Sequence, residues 1–186
     1  RGTAAAPLRV LSVGRLHWKK GFDDAIRAVA AARDAGVAVE YRIAGHGPER
    51  EKLDYLRASL GVTGEVTLLG WQDQPAVEAQ LAWADAFFLP SLSEGISNSA
   101  LEALAAGVPV VSTRSGGMDE VLRTPETGTL VEVGDVAAMA SALGGLTDPG
   151  RRARLAETGA AEARASFDLS RQARVFADAY RSLCES

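Results

Sequence analysis

Residues 87–113 read FFLPSLSEGISNSALEALAAGVPVVST, and the order of apolar and polar residues in this stretch decides the fold. Phe87-Phe88-Leu89 is an apolar run of strand length. Asn98 opens a helical segment, Gly107-Val108-Pro109 breaks it, and Val110-Val111 begins a second buried strand. Strand, helix and strand in this order make a crossover between parallel neighbours. In open parallel sheets, ligands sit where loops leave the carboxyl ends of strands. The loop here carries Glu94-Gly95, and Glu102 lies on the helix that follows. The candidate site belongs beside these two acids.

Upstream of this unit the same alternation runs three times. Residues 8–14 (LRVLSVG) form a strand, and a loop with Arg15, Lys19 and Lys20 leads to a helix. That helix carries Phe22, Ile26 and Val29 at helical spacing, with Asp23 and Asp24 in its first turn, where the helix dipole favours acids. Residues 39–44 (VEYRIA) make the second strand. A helix from Pro48, which suits the first helical position, runs through Leu60. Residues 66–70 make the third strand, and a helix spans about 75–83. Downstream, Met118–Leu122 supplies one or two helical turns, and residues 128–133 a last strand. Asp135 caps a helix through Leu143, and two further helices fill 149–165 and 169–184. The last has Leu169, Ala173, Phe176, Tyr180 and Leu183 on one stripe. Six strands alternating with helices predict a doubly wound, parallel, Rossmann-like α/β sheet with helices on both faces, in the dinucleotide-fold strand order.

A chain of 186 residues with 47% apolar and 24% charged residues suits one domain with a full core. No apolar run approaches the roughly 18 residues of a membrane span, and no secretion signal opens the sequence shown. A net charge of −4 argues against binding to a nucleic-acid backbone. The single cysteine, Cys184, excludes a disulfide framework and a cysteine-based metal site.

Each candidate residue has a structural and a functional reading. Ser99-x-x-Glu102 fits a capping box, in which both side chains would only satisfy free backbone amides at the helix start; Glu94 could be a solvated loop acid. Alternatively, both carboxylates accept hydrogen bonds from sugar hydroxyls, while the amides of Gly95, Ile96 and Ser97 face an anion. Arg15 and Lys20 are either a surface charge run or a diphosphate clamp, a planar fork of donors beside a compact charge. There is no D-x-D pair, and His17 and His46 have no companions at metal-ligand spacing, so both are read as solvated loop residues and no metal is expected. Gly45-x-Gly47-x-x-Arg50 follows the second strand and lacks the third glycine, so a nicotinamide cofactor is not indicated. The absence of Gly-x-Ser-x-Gly argues against a hydrolase.

These residues, taken in order, resemble the C-terminal, donor-binding domain of a family 4 retaining glycosyltransferase of the GT-B fold. The likeness runs from Val10 to Tyr180. It rests on Gly14-Arg15-x4-Lys20-Gly21, Ala44-Gly45-x-Gly47-Pro48, Leu89-Pro90-Ser91 with Glu94-x7-Glu102-Ala103, Gly107-x-Pro109-Val110-Val111, Gly116-Gly117-x-x-Glu120 and Gly128. The resemblance implies that Arg15 and Lys20 hold the donor diphosphate and that Glu102 binds the ribose. It makes Glu94 the catalytic acid beside the donor sugar, or the group that orients that sugar. It sets the amides of Gly95, Ile96 and Ser97 against the sugar and distal phosphate, and Gly70 and Trp71 near the base.

The implied reaction is metal-independent transfer from a nucleoside-diphosphate sugar to a glycan or lipid-linked acceptor, as in polysaccharide biosynthesis. No cofactor is implied. The implied partners are the nucleotide sugar and an N-terminal acceptor-binding domain missing from residues 1–186, which form a single donor-binding domain closed by a C-terminal helix at 167–186. A cytoplasmic location is expected, with any membrane-seeking segment in the missing half, and the isolated domain should turn over little or nothing. Two departures from the family pattern stand out: Lys19 replaces a frequent Glu, and Ile96-Ser97-Asn98 replaces Phe-Gly-Leu. The second lies at the sugar end and leaves the donor open. A stand-alone nucleotide-sugar-binding module and a sugar-nucleotide epimerase remain as alternatives.

Overall fold

The computed structural model describes residues 6–167 together with Ala177, Tyr180 and Arg181. Six strands, β1 (Leu8–Val13), β2 (Val39–Ala44), β3 (Val66–Gly70), β4 (Ala86–Leu89), β5 (Val110–Thr113) and β6 (Thr129–Val131), form one sheet in the order β3-β2-β1-β4-β5-β6. Every pairing is parallel. The chain winds outward from β1 to one edge, then returns to start again at β4. The switch point expected from the dinucleotide fold therefore lies between β1 and β4.

Helices α1 (Phe22–Asp34), α2 (Arg50–Ser59) and α6 (Val136–Gly145) pack on one face of the sheet. Helices α3 (Gln74–Trp83), α4 (Asn98–Ala105), α5 (Met118–Val121) and the end of α7 (Pro149–Ser166) pack on the other. Because both faces are covered, alternate residues of one strand feed two separate cores. Val10, Tyr41, Phe88 and Val111 meet the first set of helices, and Leu11, Phe87, Leu89 and Val110 meet the second. A small polar network crosses the first core. The Tyr41 hydroxyl lies 2.8 Å from Ser12 Oγ, which also donates to the Phe88 carbonyl. Its burial pushes the Tyr41 hydroxyl pKa up, and the Ser12 contact only partly offsets this. The network ties β2, β1 and β4 together beneath the switch point.

The predicted elements recur with small shifts. Pro48 does not open α2; it sits in the turn before Arg50. The reason is a contact made elsewhere: the Glu49 amide donates to the Leu16 carbonyl and the Leu16 amide to the His46 carbonyl, so this backbone is committed to the loop after β1. The last strand is shorter than expected, Thr129–Val131. The predicted helix over 169–184, with the stripe at Leu169, Ala173, Phe176 and Leu183, lies outside the described residues apart from Ala177, Tyr180 and Arg181, which are helical. Among the described residues no helix is long and apolar enough to cross a membrane.

Candidate functional site

The loop after β1 makes a short 3-10 turn at Trp18–Lys20, started by His17, whose Nδ1 accepts from the Lys19 amide at 3.3 Å. The turn ends at Gly21, in the left-handed conformation with φ of 63°. A Cβ at Gly21 would stand 2.0 Å from the Pro90 carbonyl oxygen, so the loop after β1 lies directly on the loop after β4. The Leu92 amide seals that contact by donating to the Lys19 carbonyl at 2.7 Å. From this turn Lys20 reaches across the switch point, placing Nζ 2.5 Å from Glu94 Oε2.

Glu94 is held from three loops. Ser91, fully buried, donates its hydroxyl to the same Oε2 at 3.0 Å, and its carbonyl accepts from Thr113 Oγ1 at the end of β5. The Glu94 amide donates to the Ser115 carbonyl at 2.6 Å, and Glu94 pairs with Gly116 in a parallel bridge. That bridge demands glycine: Gly116 has φ of +123°, and a Cβ there would lie 2.1 Å from the Glu94 carbonyl oxygen. The carboxylate is thus fixed in position, with Oε2 doubly bonded and Oε1 without a hydrogen bond among the described residues.

Beyond Glu94 the chain turns into α4. Ser97 is the N-cap residue, but its hydroxyl bonds Ser99 Oγ at 3.1 Å and caps no amide. Among the described residues the amides of Gly95, Ile96 and Ser97 donate no hydrogen bond. Free amides at a helix start, with the positive end of its dipole, suit an anion.

The capping-box reading of Ser99 and Glu102 does not hold. Ser99 lies inside α4, and its hydroxyl bonds the Val13 carbonyl at 3.3 Å, at the carboxyl end of β1. Glu102 is therefore free of capping duty; it is exposed, and at i+3 it shares the face on which Ser99 touches β1.

On the other flank of β1 is a cavity of about 240 Å³ at the ends of the first three strands. Arg15, His46, Trp71 and Gln72 are among its walls, so Arg15 and Trp71 face one cavity although 56 positions apart in sequence. Trp71 is 68% exposed. Arg15, also exposed, has no ion-pair partner among the described residues. Lys20 and Glu94 converge directly, and Arg15 shares the neighbouring cavity with Trp71, while Gly70 is not among its walls. Two residues escaped the sequence reading. His46, read as a solvated loop residue, lines this cavity. Ser91, noted only as part of a motif, is a direct partner of Glu94; its place three residues before an acid, at the end of a buried strand, was the available signal.

The family model described as "Glycosyl transferases group 1" matches residues 7–148. The lipopolysaccharide core biosynthesis glycosyltransferase LpsE of Rhizobium meliloti is 42% identical over 157 residues, covering 84% of this chain and 44% of its own. The structure of Anabaena HepE in complex with UDP-glucose superposes with a TM-score of 0.86 at 23% identity, over 95% of this chain and 49% of that one. The C-terminal domain of a group 1 family protein (LpcC) from Francisella tularensis gives 0.78 at 22% identity, over 88% of each chain. The chain spans less than half the length of the curated relative it matches.

Proposed function

Because the chain belongs to the group 1 glycosyl transferases, we propose that it is the donor-binding half of a family 4, retaining, metal-independent glycosyltransferase. It takes a nucleoside-diphosphate sugar and passes the sugar to a glycan or lipid-linked acceptor held by an N-terminal half. The observation that carries this reading is the meeting of Lys20 and Glu94 at the β1–β4 switch point, a cation and an acid from two loops in one cleft.

The assignment of parts follows the chemistry of the ligand. The base enters the cavity walled by Trp71, whose exposed ring offers a stacking surface. Glu102 accepts the ribose hydroxyls. Arg15 and Lys20 bind the diphosphate, and the amides of Gly95, Ile96 and Ser97 face the distal phosphate and sugar. When the glycosidic bond breaks, its electron pair leaves with the diphosphate; donors already aimed at those oxygens stabilise the growing charge without reorganising. Glu94, with Oε1 unspent, accepts a sugar hydroxyl and orients the ring beside the bond that breaks. The HepE structure, which shares the fold and holds UDP-glucose, supports a site of this kind.

Titration calorimetry with UDP, GDP and ADP, each with and without an attached sugar, tests the reading: at least one nucleotide binds, and its sugar ester binds too. Silence from all three refutes a donor site. Adding the N-terminal half separates an enzyme half from a stand-alone binding module, since only the former restores transfer.

A further inference from the structure

We infer that Glu94 makes the site discriminate against the bare nucleoside diphosphate, lowering the hold on the leaving group of the transfer relative to the donor. The inference rests on the donor-site reading above and adds a residue that works against one of the ligands.

Three features of the molecule carry it. First, Lys20 Nζ is committed to Glu94 Oε2 at 2.5 Å, with only 24% and 17% of the two side chains exposed. A phosphate that seeks Lys20 therefore arrives beside a carboxylate. Second, that carboxylate is tethered beside Lys20. Ser91 holds the same oxygen at 3.0 Å, and the Glu94 backbone is bonded to Ser115 and bridged to Gly116. Third, Oε1 keeps its capacity to accept, so the group can reward a hydroxyl while it repels an anion.

The two ligands differ in just these respects. The terminal phosphate of a free nucleoside diphosphate carries about two negative charges near neutral pH, by analogy with phosphate monoesters whose second pKa is about 6. Esterified by a sugar, the same phosphate carries one, and the sugar brings hydroxyl donors. Repulsion by a fixed charge scales with the charge it meets and grows as water is excluded. Glu94 thus disfavours the diphosphate and favours the donor. Weak retention of the leaving group matters because product release limits turnover in many enzymes.

The test uses the 186-residue chain and calorimetry with the pairs UDP and UDP-glucose, GDP and GDP-mannose, and ADP and ADP-glucose, taking the nucleotide that binds. Glu94→Gln keeps the shape and an acceptor for Ser91 while removing the charge. It should tighten the bare diphosphate about tenfold and leave the sugar ester unchanged or weaker. Unchanged or weakened diphosphate binding in this variant, with Lys20→Met still costing affinity, overturns the inference and spares the donor site. If Lys20→Met has no effect, the donor-site reading fails first. A second ligand separates charge from sugar. The methyl ester of the terminal phosphate loses one charge and brings no sugar, so Glu94→Gln should tighten the bare diphosphate more than it tightens this ester. An equal gain for both ligands also overturns the inference.

Discussion

Two ion pairs join the segments of β1 and β4, one at each end of the strands, and they are built differently. At the amino ends, Arg9 grips Asp85 with two side-chain nitrogens at 3.0 and 3.1 Å and with its own amide at 3.0 Å, while the Asp85 amide returns a bond to the Arg9 carbonyl at 2.8 Å. Both Asp85 oxygens are spent. At the carboxyl ends, Lys20 meets a single oxygen of Glu94, and donors on the ammonium and an entire carboxylate oxygen are left over. A saturated pair can only hold the strands together. One with spare capacity can exchange partners with a ligand, and it lies at the end of the sheet where ligands bind. The difference separates a strut from a site although the residue types are alike.

The contrast can be attacked in several ways, beginning with the largest effect. Gly21→Val forces a side chain into a left-handed turn and onto the Pro90 carbonyl. It should cost about 2–5 kcal/mol of stability and displace Lys20 from Glu94, read by thermal melting together with loss of nucleotide binding. Arg15→Ala and Lys20→Met should each weaken the diphosphate by about 1.5–3 kcal/mol, the range for charge-assisted hydrogen bonds, with little effect on the bare nucleoside. Lys20→Met should shift stability by less than about 1 kcal/mol, since the pair is not saturated. If it instead unfolds the protein, the distinction between strut and site collapses.

Asp85→Ala should do the reverse, costing about 1–2 kcal/mol of stability, because it orphans the Arg9 amide, while nucleotide affinity stays put. Its pH dependence sharpens the point. Burial pushes the Asp85 carboxyl up, but the Arg9 guanidinium and amide more than reverse this and hold it below the ordinary carboxylate value. The folded state therefore binds this proton less readily than the unfolded chain. The stabilisation is complete above about pH 4 and drains away as the pH falls through the lower, folded value. Denaturant melts at descending pH should show this loss in the wild type and its absence in Asp85→Asn. The smallest effect is assigned to Glu102→Ala, about 1 kcal/mol against the nucleoside diphosphate and none against inorganic diphosphate, which has no ribose.

Much of this is legible in the sequence. The strand stretches 39–44 and 66–70 were readable to the residue because alternating and continuous apolar runs are local signals, and strand order followed from the alternation of strands with helices. What went astray was decided by distant neighbours. Pro48 looked like a helix start, yet hydrogen bonds to Leu16 hold its segment as a turn. Ser99 looked like a cap, yet its hydroxyl is taken by the Val13 carbonyl, 86 positions away. His46 looked like a bystander because the cavity it lines is assembled from loops after three separate strands.

The sequence by itself determined the order of elements, the family and the short set of polar residues that chemistry could use, since each is written in neighbouring residues or fixed spacings. Only the tertiary structure decided which of those residues touch. Lys20 and Glu94 stand 74 positions apart and meet because two glycines let three loops stack backbone on backbone. Which carboxylate oxygen is occupied, and which is left for a ligand, is settled by side chains converging from β1, β4 and β5, and no local pattern encodes that convergence.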